Sequence, residues 1–209
     1  MAERVIKAVA NLKDKENTYR TQKARLNLAI KQKFYFEAIL IEYAIIEDRL
    51  RSYMYHIGLL QNREAFKISA KIPKRVKNEI EPIVRKYGGN DKLFSIANIT
   101  GKMRILKALV IWSSNAECEC DTKYLQHLKS QFQELDPDLM LETLEKISHW
   151  NDYRNEVVHA LMNKNVLSLN LELEAKVVEG KQYAEILDSQ LKSFKKGNVL
   201  RKMIGLPNN

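Results

Sequence analysis

The stretch from residue 34 to residue 60 restricts the fold more than any other part of the chain. Ile39, Tyr43, Ile46, Leu50, Tyr53, Ile57 and Leu60 step alternately by four and three residues, so they line one stripe of a long helix. A stripe of this length needs other helices to cover it, which is the seam of a bundle. The rest of the chain agrees. Its 209 residues include only 7 Gly and 4 Pro, too little punctuation for a turn-rich sheet fold, and 45% are hydrophobic, enough for a sizeable core. The expected fold class is all-α, an antiparallel helical bundle.

One residue disturbs the seam. Glu47 has Leu40, Tyr43, Ala44, Leu50 and Met54 as its neighbours on the helix surface, and a carboxylate in such company requires a cation or hydrogen-bond donors. Arg51, four residues on, is the local candidate, and Arg154 is the distant one.

Helical spacing extends on both sides. Residues 3–16 and 19–33 read as two charged helices, the first with Val5, Val9 and Leu12, the second with Leu26 and Ile30. Pro73 opens a helix to about Tyr87 that Pro82 should kink or break, and Gly88-Gly89-Asn90 stops it. Shorter helices are expected near 91–97 and 101–113, a loop around Cys118 to Asp121, and a helix over 122–134. Asp136 is placed to cap a long helix with Pro137 in its first turn, continuing past a bend near Trp150. Residues 166–173 alternate like a strand, but Leu173, Val177, Gly180, Ala184, Leu187, Leu191 and Phe194 follow helical steps, so a helix over about 170–196 is the simpler reading. The termini should fray, Gly205 to Asn209 most of all.

The formal charge of +9 is unevenly distributed. Residues 61–107 carry 12 basic and 4 acidic groups, residues 108–191 carry 7 and 15, and residues 192–209 carry 5 and none. A basic middle and tail can steer a polyanion, while a mixed solvated surface is the plainer account. Lys192, Lys195, Lys196, Arg201 and Lys202 form either a solvated helix end or a strip that tracks phosphates. No leader-like segment and no apolar run of spanning length is evident, so a cytoplasmic protein without a membrane segment is expected. Cys118 and Cys120 are too close for an unstrained bridge and lack the further ligands of a zinc site, so no metal or other cofactor is expected.

The chemistry concentrates in Trp150-Asn151-Asp152-Tyr153-Arg154-Asn155-Glu156-Val157-Val158-His159-Ala160-Leu161. On a helix, Asp152, Asn155 and His159 form one column, and Trp150, Tyr153, Val157 and Leu161 form a mostly apolar one. Arg154 lies between them, with a stem long enough to carry its guanidinium toward His159. A permanent cation, an amide and a group that titrates near neutrality suit phosphodiester chemistry on RNA. An arginine on a helix more often pairs with a nearby carboxylate, here Glu156 or Asp152, and a lone histidine is more often a packing residue. His127 and His149 read as surface or packing residues.

Arg154-Asn155-x-x-x-His159 resembles the signature of the HEPN superfamily, whose ribonuclease members carry an arginine, a polar residue and a histidine on a late helix of a four- or five-helix bundle. Arg49 and Arg51 also precede a histidine, His56, at a permitted distance. Requiring Asn after Arg and a five-residue step lowers the chance expectation to roughly 0.02, which selects the late pair and leaves His56 as an outside candidate. Glu-Tyr-Ala-Ile-Ile-Glu-Asp-Arg-Leu at 42–50 is similar to the early helix of that fold, so the resemblance covers about 20–60 and 135–195 of one domain, with 61–134 a helical insertion.

The resemblance implies a metal-independent endoribonuclease that leaves a 2′,3′-cyclic phosphate. It implies catalytic Arg154, His159 and Asn155 and support for Arg154 from Glu47 or Asp48, while Lys192, Lys195 and Lys196 of the basic tail are the candidate RNA contacts. It further implies a homodimer with a composite active site, acting as a toxin or antiviral defence effector and open to restraint by an inhibitory protein partner. The tyrosine that some HEPN toxins carry two residues after the histidine is Leu161 here, so silencing by nucleotidylation is not implied. The alternatives are a non-catalytic RNA- or nucleotide-binding HEPN module and a helical scaffold whose Arg–His pair is structural.

Overall fold

Periodicity of this strength should give long helices, and the computed structural model contains them. It describes residues 12–61, 72–89, 94–117, 120–160, 163 and 165–206. Among these are eight helices and no strand: α1 Leu12–Lys31, α2 Tyr35–Ile57, α3 Lys74–Tyr87, α4 Ile99–Ser114, α5 Lys123–Gln133, α6 Pro137–Ala160, α7 Val166–Lys195 and α8 Leu200–Met203. No helix among the described residues is long and apolar enough to cross a membrane.

The seam on α2 behaves as its spacing requires. Ile39, Ile46, Leu50, Tyr53 and Ile57 are fully buried, and Tyr43 packs half-buried beside them. Gly58 ends the helix in the left-handed conformation, with φ 93°, and its N–H reaches the Tyr55 carbonyl. A side chain there would also run into Ile204. α1 folds back antiparallel on α2, since Lys15 and Tyr19 meet Asp48 near one end and Arg25 meets Glu37 near the other. A single helix replaces the two expected over 3–33, whose first residues, 3–11, lie outside the described ones. Thr18 does not break it because its hydroxyl donates back to the Asp14 carbonyl at 2.9 Å, keeping the side chain satisfied inside the helix.

α6 and α7 are antiparallel, with pairs Asp136–Gln190, Trp150–Lys176 and Tyr153–Glu172 in register. α2 and α7 form the largest interface and run parallel, since Glu42 meets Gly180, Arg49 meets Asp188 and Tyr53 meets the Leu187 carbonyl. The expected antiparallel order therefore holds for α1–α2 and α6–α7 but not for this central pair. Gly180 allows that pair to close, because a Cβ there would strike the Glu42 carboxylate and the Trp150 ring. The alternating stretch at 166–173 is absorbed into the first turns of α7.

The middle of the chain is more than an appendage. α4 is buried over most of its surface, with Ile105, Leu106, Ala108 and Leu109 fully buried, and it packs against α2, α3, α5 and α6. Asn98 caps it, accepting from the Gly101 N–H at 2.7 Å. Residues 94–98 precede it without helix, which corrects the helix expected over 91–97; 91–93 lie outside the described residues. Pro82 sits inside α3 with helix on both sides, and α6 is helical throughout, including at Trp150. Asp136 caps α6 as expected, its carboxylate accepting from the Leu139 N–H at 3.0 Å. Cys120 is half-buried, and Cys118 lies outside the described residues.

Candidate functional site

The motif helix is anchored before it reaches the motif. Trp150 is buried and donates its indole N–H to the Lys176 carbonyl at 2.8 Å, fixing α6 on α7. Tyr153 continues along that face to Glu172, and Val157 is buried. The column facing outward is the expected one: Asp152 and His159 are exposed and Asn155 is half-buried. Leu161 lies outside the described residues.

Arg154 leaves the helix toward α2. Its guanidinium carbon lies 3.6 Å from the centre of the Tyr43 ring, a close cation–π stack. Burial and the neighbouring Glu47 carboxylate push the Tyr43 phenol up, and Arg154 opposes them. Five residues along an ideal helix amount to about 7.5 Å of rise and about 140° of rotation. Arg154 and His159 therefore leave α6 in different directions, one against α2 and one into solvent, and the expected reach of the guanidinium toward His159 is replaced by the stack on Tyr43.

Glu47 and Asp48 also find other partners than expected. The Glu47 carboxylate accepts from the Lys102 ammonium of α4 at 3.0 Å. Asp48 accepts from Lys15 at 2.9 Å and from the Tyr19 hydroxyl at 2.6 Å, bonds that hold its carboxyl below the usual range against the opposing effect of burial. Neither carboxylate is paired with Arg154. Among the described residues Arg154 has no carboxylate partner, and its Nε has no hydrogen-bond acceptor.

The lysines expected to hold RNA sit elsewhere. Lys192, Lys195 and Lys196 are exposed at the far end of α7, about 20 residues and so about 30 Å along the helix from the level of Tyr153. Lys192 is paired with Asp188 at 3.1 Å. The same basic cluster loses Arg201, which is 2% exposed and donates to the carbonyls of Tyr55, Leu60 and Gln61. His127 accepts from the Val199 N–H, His149 is exposed, and His56 packs edge-on against Tyr55.

Lys102 and the aromatic role of Tyr43 were missed by the sequence reading. A signal for Lys102 was present: a lone ammonium between Ile99 and Met103 in an apolar helix demands an anion. Its pairing with Glu47 spans 55 residues, so spacing could not name the partner. The resulting cluster joins α2, α4 and α6 around one cation that hydrogen-bonds Tyr43 but whose Nε has no acceptor and which no carboxylate pairs among the described residues, an arrangement suited to holding an oxyanion. Compared with models of known families, with characterised proteins and with solved structures, the chain matches none.

Proposed function

We propose that the chain is a metal-independent endoribonuclease of the HEPN type, acting as a homodimer. The observation that carries the reading is the Arg154-Asn155-x-x-x-His159 motif with His159 exposed and Arg154 unpaired with any carboxylate among the described residues. In this reading Arg154 holds the scissile phosphate and offsets the charge that develops on it. His159 takes the 2′-OH proton or protonates the leaving 5′-oxygen, and Asn155 orients the phosphate or the imidazole. One histidine cannot be both base and acid in a single concerted step, and Arg154 and His159 diverge along α6. Both facts favour a groove shared by two copies about a two-fold axis. A toxin or defence effector held in check by a protein partner is the biological setting that fits such an activity.

The test is cleavage of labelled RNA in EDTA by the wild type and by His159→Ala. The expected products are a 2′,3′-cyclic phosphate and a 5′-OH, absent with the variant. Cleavage by His159→Ala at the wild-type rate overturns the reading. Binding of RNA with steep salt dependence but without cleavage would assign the chain to the non-catalytic alternative.

A further inference from the structure

We propose that the Lys102–Glu47 ion pair keeps Arg154 available, and that Arg154 on its Tyr43 platform binds a phosphate group where α2, α4 and α6 meet. The proposal rests on the nuclease reading only for the identity of the ligand, a phosphate of a nucleic-acid chain.

The geometry comes first. Tyr43 and Glu47 are one turn apart on α2 and share a face, so the carboxylate lies beside the ring on which Arg154 stacks. In that position Glu47 is the natural partner for the guanidinium, and a bidentate pair would consume two of its donors. Lys102 prevents this. Its ammonium is buried, its carbon stem is fixed in an apolar helix, and it meets Glu47 at 3.0 Å. A buried ammonium needs an anion far more than a half-exposed guanidinium does, so Glu47 stays with Lys102. Arg154 is left with a ring below it and no carboxylate among the described residues. One turn earlier on α6, Asn151 is 5% exposed and its side-chain oxygen has no partner. Its carboxamide offers a donor or an acceptor according to how it is turned. Two cations against one carboxylate leave the cluster one positive charge, the sign a phosphate requires.

Lys102 is therefore a positioning residue, acting on the ligand through Glu47 and Arg154. The probe is inorganic phosphate, followed through the Arg154 Nε–Hε resonance, with RNA cleavage in EDTA measured on the same samples. The wild-type resonance is expected to shift on titration. In Lys102→Met the released Glu47 captures Arg154, and phosphate should bind at least about ten-fold more weakly. Adding Glu47→Gln to that variant should restore wild-type binding, a rescue that loss of packing would not give. Glu47→Gln alone removes a negative charge beside the site and should bind phosphate roughly three-fold more tightly; it decides the matter if Lys102→Met does not fold. Weaker binding by Glu47→Gln, failure of the rescue in a folded double variant, or no phosphate response in the wild type overturns the proposal. Phosphate binding that follows this pattern without RNA cleavage supports it and removes the nuclease reading alone.

Discussion

Arg201 and Arg154 stack on tyrosines in the same way, and their surroundings give them opposite uses. Arg201 lies over Tyr55 and Arg154 over Tyr43, each with its guanidinium carbon 3.6 Å from the ring centre. Arg201 is buried, and the carbonyls of Tyr55 in the last turn of α2 and of Leu60 and Gln61 beyond it accept its N–H groups at 2.7 to 2.9 Å. It ties the last turn of α2 to the segment that follows it and places a positive charge at the negative end of that helix. Arg154 is half-buried and has neither carbonyls nor a carboxylate in that role among the described residues. A stacked arginine is thus structural or available for a ligand according to how many of its donors are committed, and the ring alone does not distinguish the two.

The comparison can be broken most easily at Arg154. Arg154→Ala should lower RNA cleavage at least about 100-fold, the scale for losing one preorganised donor to a developing charge. Its thermal unfolding should move little, because few hydrogen bonds are lost. A variant that cuts RNA normally but melts early would reverse the assignment.

Arg201→Met is the mirror test. It removes the hydrogen bonds that Arg201 donates to three carbonyls and should cost roughly 3 kcal/mol, or about 6–12 °C in Tm for a chain of this size. Cleavage per folded molecule should be unchanged. An unaltered melting point would mean that the α2 end does not depend on this contact.

Glu42 sharpens the contrast from the acidic side, as a buried carboxylate with no partner for either oxygen in the cleft between Gly180 and Trp150. Desolvation pushes its carboxyl up to about 9, only partly opposed by Lys181. The folded state therefore holds a proton that the unfolded chain releases above the ordinary 4.5. Its contribution to stability is full below that value and is lost as pH rises toward about 9. Glu42→Gln should flatten this slope and raise stability at pH 7 by about 2–3 kcal/mol, read from urea unfolding at several pH values. Equal slopes for the two proteins would show that Glu42 is not protonated in the fold.

The smallest effect belongs to the exposed end of α7. Lys192 is 77% exposed and, among the described residues, paired with Asp188, so Lys192→Ala should change stability by less than about 0.5 kcal/mol. It should also leave cleavage intact, since it lies far along α7 from Arg154. A marked loss of RNA cleavage would place the lysine cluster on the RNA path.

The helices were legible because their signals are local. Stripe spacing predicted α2 and α7, and the Asp136-Pro137 pair predicted the start of α6. The misreadings occurred where a local signal was weak or a distant contact decided the outcome. The two helices expected over 3–16 and 19–33 are one among the described residues, with Thr18 satisfied inside it. Arg201 looked like part of a solvated cluster, but α8 carries it back to α2, 146 residues away from Tyr55 in sequence. The motif itself could be found as a string. Which of its side chains had a partner could not.

Sequence alone determined that this chain is helical, where most helices lie, and that an arginine, an amide and a histidine share one of them. Those properties follow from backbone spacing and caps within a few residues. Tertiary structure decided that Glu47 belongs to Lys102, that Asp48 belongs to Lys15 and Tyr19, and that Arg154 rests on Tyr43. Ion pairs between helices depend on their relative register and rotation to within a few ångströms. A periodic stripe fixes the face a helix buries and leaves that register open.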